Sequence, residues 1–146
     1  MLNDSIILKG ALKIVVRDAF GSVKNELEVP NLVVAVGKNF IASRMVGTSD
    51  DTMSHMAIGE GTTSPVSGDT TLESEAGRVA LTSNVRTDNA IAYTASFPAG
   101  TGTGAITEAG LFNAASAGIM LCRTTFPVIN KGSADSVAIT WTVSVN

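Results

Sequence analysis

The sequence predicts an all-β protein, an antiparallel β-sandwich of roughly seven to nine strands with one short helix. Residues 136–145 alternate Val, Ile and Trp side chains with Ser, Ala and Thr, which is typical of a strand with one buried face. Residues 106–126 show two apolar runs, 106–112 and 119–126, joined by a loop of Asn, Ala, Ser and Gly. Turn residues recur along the rest of the chain at the spacing found in sandwiches and barrels.

Length and composition indicate one domain with a weakly charged surface. The 146 residues are 45% hydrophobic, enough for a single core, and we assign residues 11–146 to one sandwich domain. Residues 1–10 are predicted to be an N-terminal arm or a pairing strand. Only 16% of the residues are charged, against roughly 25% in ordinary domains. Such a surface of hydroxyl and methyl groups suits packing against other copies or other proteins.

Charge and cysteine content exclude several classes of function. The net charge is −3 and no basic cluster occurs, so direct binding of nucleic acid is not expected. The N-terminus carries an early acid and a three-residue apolar run, which predicts neither a signal peptide nor a membrane span. The single Cys122 permits no internal disulfide, and its place in a strand pattern predicts a buried structural residue.

The first part of the domain predicts a hairpin followed by the helix. Residues 11–29 alternate apolar and polar side chains on either side of a turn at 18–22. Pro30 is predicted to end the second strand because it has no N–H to donate. Apolar residues then recur at helical spacing, which predicts a helix over 33–46 with Gly37 as a weak point.

The middle of the chain predicts a buried strand, a long loop and a second hairpin. Residues 53–58 are a short apolar run, and residues 59–75 are rich in Gly, Ser, Thr and Pro, which favours a surface loop. Leu72 is expected to pin this loop to the core. Residues 78–86 and 90–97 are predicted to pair as a hairpin.

The last third predicts the central strands of the sandwich. Residues 98–104 link to the run 106–126, and Pro127 is predicted to close that run at a sheet edge or bend. The turn into the final strand is assigned to residues 130–132, with Gly132 free to adopt a positive φ.

No nucleophilic triad is convincing in the sequence. His55 lies beside Ser54, with Asp50 and Asp51 shortly before, so a Ser-His-Asp set is available on paper. No nucleophile elbow or oxyanion loop accompanies it, which favours an ordinary histidine on a loop or strand end.

Carboxylates and glycines also favour ordinary structural roles. Acidic pairs could in principle hydrolyse a glycoside, but one Trp and one Tyr leave little aromatic surface to hold a sugar ring. No helix signal follows the glycines at 100, 102 and 104, so a phosphate loop is not expected. No acidic run has calcium-loop spacing. We therefore predict a protein that is not an enzyme, with no cofactor and no metal site.

Glu108 differs from the other acids because it lies inside an apolar strand. An unpaired carboxylate would be costly to bury there. Arg78 and Arg123 are the strand arginines that could pair with it. We hypothesise a buried or half-buried Glu108–Arg pair that fixes the strand register or an intersubunit contact.

Three runs together resemble known proteins: VGKNFIASR at 36–44, SHMAIGEGTTSPVSGDTTL at 54–72 followed by Arg78, and ITEAGLFNAASAGIMLCR at 106–123. Their AIG-x-G strand, GDT-x-L loop and I-x-E-x-G-LF strand resemble small virion structural proteins of tailed bacteriophages. They are also similar to collar or fibre-attachment modules of phage tails. The likeness covers residues 31–146.

The resemblance implies a non-enzymatic, β-rich assembly protein of the virion. The residues it implies to be architectural, together with the two candidate arginine partners, are Ile58, Gly59, Asp69, Leu72, Arg78, Glu108, Gly110, Leu111, Phe112 and Arg123. The expected partners are the major capsid protein or other virion proteins and further copies of this chain, as a trimer or dimer. The expected contact surfaces are the arm at 1–9, the loop at 59–75 and the face carrying Thr140 and Thr142.

Two roles within the resemblance and one outside it are open at this point. A capsid decoration or cement protein is favoured because the chain is short, without shaft repeats or heptads. A tail, neck or fibre-adaptor protein is the alternative. A glycan-binding head domain is the alternative from another class.

Overall fold

A computed structural model describes residues 4–146, which form ten strands and one helix. The strands are β1 (Leu8–Arg17), β2 (Val23–Pro30), β3 (Leu32–Val33), β4 (His55–Gly59), β5 (Glu75–Ala80), β6 (Ser83–Thr87), β7 (Ala90–Phe97), β8 (Gly104–Phe112), β9 (Met120–Lys131) and β10 (Ser136–Val145), and the helix is α1 (Ala35–Arg44). The all-β class with one short helix is confirmed. The strand count exceeds the predicted range by one.

The strands form two antiparallel five-stranded sheets that pack face to face. The first sheet has the order β2-β1-β10-β7-β6 and the second has the order β3-β9-β8-β4-β5. The main apolar core lies between them and contains residues from both sheets. This is the sandwich architecture that the alternating pattern predicts.

The final strand shows most directly how alternation builds the core. In β10 the side chains of Val137, Ile139 and Trp141 are buried, whereas Thr140 and Thr142 between them are exposed. In the register of the first sheet, Trp141 lies between Leu12 of β1 and Tyr93 of β7. The predicted two-residue period in this segment is confirmed.

The central strands of the second sheet, β4, β8 and β9, are buried on both faces, unlike those of the first. Strand β8 is buried at every position from Ile106 to Phe112, and β9 is buried along most of its length. Its inner face packs in the core, and its outer face lies under the loop of residues 60–74. A second apolar cluster on that outer face consists of Val34, Ala57, Leu72, Phe112 and Met120.

The helix is shorter than the predicted span of 33–46. Leu32 and Val33 pair with β9 as the short strand β3, so helical backbone begins only at Ala35. A Cβ on Gly37 would lie 2.1 Å from the carbonyl oxygen of Leu121. Gly37 is therefore the residue that lets α1 pack directly against β9, rather than only a weak point in the helix.

The prediction of one strand over 78–86 is wrong, because the chain changes sheets in the middle of it. The Leu81 N–H donates to Ser54 beside the second sheet at 2.9 Å, and the next N–H, of Thr82, donates to Thr94 of β7 at 2.8 Å. β5 and β6 therefore belong to different sheets. The predicted hairpin with residues 90–97 is retained only by β6, through a turn in which Asp88 has a φ of +53°.

Pro127 does not end the strand as expected. β9 continues to Lys131, and the residues between Thr125 and Ile129 face only Thr107 on β8, which makes this a β-bulge. A proline is tolerated there because a residue in a bulge does not have to donate a hydrogen bond to the neighbouring strand.

The N-terminal segment joins the first sheet before residue 11. Leu8 begins β1 opposite Val145, and Ile7 exchanges two backbone hydrogen bonds of 2.6 and 2.8 Å with Asn146. Residues 7–10 are thus a pairing strand in this structure. Residues 1–3, which complete the predicted arm, lie outside the described residues.

Candidate functional site

Glu108 lies at the centre of the outer face of the second sheet, with a side chain that is 0% exposed. The guanidinium of Arg123, itself 2% exposed, donates to Glu108 Oε2 from Nε at 3.1 Å and from Nη2 at 2.8 Å. Glu108 pairs with Thr125 across β8 and β9, so Arg123, two residues away on β9, lies on the same face. The structure therefore contains the hypothesised buried Glu–Arg pair.

Arg123 also binds a second acid, Asp69, which comes from the loop. Arg123 Nη1 donates to Asp69 Oδ2 at 3.0 Å, and the same oxygen accepts the backbone N–H of Val66 at 3.0 Å. We call Asp69, Glu108 and Arg123 the Glu108 cluster. Its one guanidinium joins a carboxylate of the sheet to a carboxylate of the loop.

The remaining acceptor capacity of Glu108 holds the end of the loop. The backbone N–H of Ser74 donates to Oε1 at 2.7 Å, and that of Glu73 donates to Oε2 at 3.1 Å. The neighbouring Thr107 Oγ1 donates to the carbonyl oxygen of Gly61 at 2.7 Å and holds the beginning of the loop. Two successive residues of β8 thus fasten residues 60–74 at both ends.

The two glycines of the AIG-x-G run leave room for the Glu108 carboxylate. A Cβ on Gly59 would lie 2.6 Å from Oε1, and a Cβ on Gly61 would lie 2.6 Å from Oε2. A side chain at either position would collide with the carboxylate or displace the backbone that covers it.

The apolar half of the site lies beside the Glu108 cluster. Leu72 packs with Ala57, Phe112 and Met120 and is almost completely buried, as the pinning role predicts. A Cβ on Gly110 would lie 2.9 Å from Leu72 Cδ2, so Gly110 forms the floor beneath the leucine. Ile58 and Leu111 are the two other apolar residues among those that the resemblance implies to be architectural. They point to the opposite face of the sheet and belong to the main core.

Arg78, the second candidate partner of Glu108, contacts other groups. Its Nη2 donates to Glu75 at 2.7 Å, and its Nη1 donates to the carbonyl oxygens of Ala114 and Ala117 at 3.0 and 2.9 Å. The guanidinium carbon stacks 3.8 Å from the centre of the Phe112 ring. Arg78 therefore fixes the loop between β8 and β9 rather than neutralising Glu108.

Comparison with protein-family models, with curated proteins and with solved structures finds no match to this chain. The chemistry of the site is consequently inferred from its own geometry. Glu108 accepts four hydrogen bonds from protein donors and is covered by the loop, so its carboxylate does not face solvent. The cluster is built to hold the loop on the sheet.

No acid completes a Ser-His-Asp triad with Ser54 and His55 in the described part of the chain. Ser54 Oγ and His55 Nδ1 lie 2.8 Å apart at the beginning of β4. Within residues 4–146, no carboxylate lies within ion-pair distance of the His55 ring. Asp50 and Asp51, the acids proposed on paper, instead accept hydrogen bonds through their backbone carbonyls, from Arg44 and Asn113.

Two buried ionic groups, Lys131 and Asp135, were missed by the sequence reasoning. Lys131, assigned to a turn, is almost fully buried and donates from Nζ to the carbonyls of Pro98 at 2.9 Å and Asp135 at 2.8 Å. Burial lowers the pKa of Lys131 more than the nearby Asp135 raises it. The available signal was its position two residues after the buried Ile129, on the same strand face.

Cysteine, metal and membrane features complete the description. Cys122 is fully buried, and burial raises the pKa of its thiol. Among residues 4–146, no three His, Cys, Asp or Glu side chains are grouped so that they could bind a metal ion. None of the helical structure in that same range is both long and apolar enough to cross a bilayer.

Proposed function

We propose that this protein is a non-enzymatic structural protein of a tailed-phage virion, acting as a capsid decoration or cement protein on the major capsid protein lattice. The observation that carries this proposal is the saturation of the Glu108 cluster. The runs that resemble phage virion proteins meet there, and their polar groups bind one another and the loop backbone. Buried residues used in this way hold the loop above them in a fixed shape.

The exposed face of the first sheet supports a role in protein contact. Thr142 lies between Ala11 and Ala92 in the register, and Thr140 lies between Lys13 and Thr94. We call this the hydroxyl face. Apart from Lys13, these side chains are short, and short side chains on a sheet make a flat surface with little side-chain entropy to lose, which suits a broad contact with another protein.

A decoration protein stabilises a shell by mass action. Ligands that bind the assembled state and not the free subunits shift the equilibrium toward assembly, and many weak sites on one lattice act together. The buried ion pair and the fastened loop keep each copy rigid, so little ordering cost is added on binding. The protein would be located in the virion after synthesis in the host cytoplasm.

The glycan-binding alternative finds less support. Trp141 is completely buried and Tyr93 is partly buried between the sheets. Phe20 is the one strongly exposed aromatic side chain of the described residues. A sugar-binding site normally needs an aromatic platform in a cleft, and one isolated ring at a hairpin tip does not provide it.

Localisation in intact particles tests the proposal directly. The protein is labelled in purified virions, and decoration of the shell is the expected result. A signal at the tail or neck would instead favour the fibre-adaptor role, and absence of the protein from particles would refute both.

A variant pair tests which surface binds the shell. Thr142→Lys places a charged, flexible side chain at the centre of the hydroxyl face, and we expect it to reduce shell occupancy. Ser133→Lys introduces a lysine at an exposed turn before β10 instead, and it should leave shell occupancy unchanged. Equal occupancy of both variants would show that the hydroxyl face is not the contact. Deletion of residues 1–6 tests the arm without removing β1, which begins at Leu8.

A further inference from the structure

Phe20 is an exposed aromatic residue on a rigid support. It lies at the tip of the β1–β2 hairpin and is 94% exposed. Asp18 Oδ1 accepts the backbone N–H groups of Phe20 at 2.9 Å and Ser22 at 3.0 Å. Gly21, with a φ of +82°, donates to the Asp18 carbonyl at 3.0 Å, and Arg17 Nη1 donates to the Gly21 carbonyl at 3.1 Å. Because the backbone that carries the ring is already fixed, little backbone entropy is lost on binding.

An apolar groove lies at the other end of β1. It has a volume of about 480 Å³ and is lined by aliphatic side chains of the N-terminal segment and of α1, with Lys38 as its one charged residue. The lining residues are Ile6, Ile7, Leu8, Lys38, Ile41, Ala42 and Met45. Ile6 is 73% exposed and Met45 82% exposed, so much of this aliphatic surface faces solvent. An apolar cavity of about 150 Å³ already accommodates benzene, so the groove has room for a phenyl ring.

The hairpin tip and the groove cannot meet within one molecule. β1 has ten residues between them, which separates the two sites by roughly 30 Å at about 3.3 Å per residue. Contact between them therefore requires two copies, with the tip of one reaching the opposite end of the next.

We propose that Phe20 of one copy inserts into the groove between the N-terminal segment and α1 of the next copy, which joins copies head to tail. Asp18 at the tip is opposite in charge to Lys38 at the groove, while the guanidinium of the neighbouring Arg17 turns back to the Gly21 carbonyl. The contact joins opposite ends of β1, so it can be made twice in a two-fold dimer of antiparallel copies, or repeat as a closed ring or an open column. It does not depend on the virion role.

The size of the contact determines when it forms. A buried phenylalanine covers roughly 150–250 Å², and a matching area of the groove brings the total to a few hundred Å². Stable free complexes bury about 1,200–2,000 Å². A single contact is therefore too weak to persist in dilute solution, and copies should associate only at high concentration, in a closed ring or when held side by side.

Disulfide trapping tests this contact because the native Cys122 is fully buried and should not react. The Ala19→Cys variant, which keeps the Phe20 ring at the hairpin tip, and the Met45→Cys variant are purified separately, mixed at high concentration and oxidised. We expect a covalent dimer to form about tenfold faster than in a matched mixture of Val66→Cys and Met45→Cys, because docking raises the local thiol concentration. Val66 is exposed in the loop of residues 60–74 and belongs to neither the tip nor the groove.

Three results would overturn the head-to-tail contact. The first is trapping no faster than in the Val66 mixture. The second is faster trapping of the Ala19→Cys variant with itself, which would mean that hairpin tips meet each other. The third is loss of Phe20→Ser from particles without any trapping between copies, which would place Phe20 on a different protein. An unchanged melting temperature of Phe20→Ser shows that the fold is intact, as expected for a side chain exposed at a turn.

Discussion

Replacing Glu108 by glutamine should destabilise the protein far more than removing a surface charge. Glu108 Oε2 accepts three N–H groups and Oε1 accepts one, from Ser74 at 2.7 Å. A glutamine amide has one oxygen, so in either orientation its NH₂ group faces an N–H donor. The change also removes the negative charge nearest the buried guanidinium of Arg123, which retains only Asp69.

These losses set the expected magnitude. Breaking one side of a buried ion pair costs about 3–5 kcal/mol, which includes the penalty for the unsatisfied groups left behind. For a domain of this size, that lowers the melting temperature by roughly 10 °C or more. Urea unfolding followed by fluorescence measures the free energy of unfolding cleanly, because Trp141 is the single tryptophan and is completely buried.

Glu26→Gln is the matched control. Glu26 pairs with Lys13 at 2.8 Å on the exposed face of the first sheet, where both side chains are 49% exposed. Such an exposed pair contributes little to stability, so the same chemical change should have a small effect there. Protease cleavage within residues 60–74 should also be faster in Glu108→Gln than in Glu26→Gln. If the free energies of unfolding of the two variants agree within about 1 kcal/mol, the assigned role of the Glu108 cluster is wrong.

The remaining predictions concern the covering loop and the core. Gly61→Ala should cost about 1–3 kcal/mol of stability, because its Cβ would lie 2.6 Å from the Glu108 carboxylate. Gly68→Ala is the control: a Cβ there would have no atom within 4 Å, so this variant should be close to neutral in the same thermal melts. Equal effects of the two changes would show that the close approach at Gly61 does not matter. Leu72→Ala should cost about 2–5 kcal/mol of stability, measured by urea unfolding, because it leaves a cavity on the outer face of the second sheet. Val66 is exposed in the same loop, so Val66→Ala should cost under about 0.5 kcal/mol. A small effect of Leu72→Ala would show that Leu72 does not hold the loop on the sheet. Burial raises the pKa of Tyr93 to about 12, so ultraviolet titration of this single tyrosine should show ionisation near pH 12 in the native protein and near 10 in denaturant. The unfolded state loses this proton first, so stability should fall as the pH rises from about 10 to 12, and native ionisation near pH 10 would disprove burial of the phenol.

The strands with one buried face could be predicted from the chain alone. Alternation along residues 136–145 is a local property, because successive side chains of a strand point to opposite faces whatever the partner strand is. Pinning of the loop by Leu72 was predictable for a similar reason, since an isolated large apolar side chain among turn residues is best placed in the core. Strand ends were less predictable: the change of sheet at residues 81–82 breaks no pattern of apolar and polar residues.

The partner of Glu108 is the clearest example of a feature that could not be predicted from the chain alone. The burial of a carboxylate in an apolar strand requires a cation, and this requirement is visible in the sequence, which offers both Arg78 and Arg123. Strand order chooses between them. β9 lies directly beside β8 and brings Arg123 to Glu108, whereas β4 separates β8 from β5 and leaves Arg78 to stack on Phe112.

The same division applies to the molecule as a whole. The sequence by itself determined the all-β class, the single helix, the alternating core and the need for a buried ion pair, because each follows from neighbouring residues along the chain. The tertiary structure decided which strands lie side by side, that a loop covers the second sheet, and that Phe20 and the apolar groove lie at opposite ends of β1. These features depend on contacts between residues far apart in the chain, which local sequence patterns do not predict.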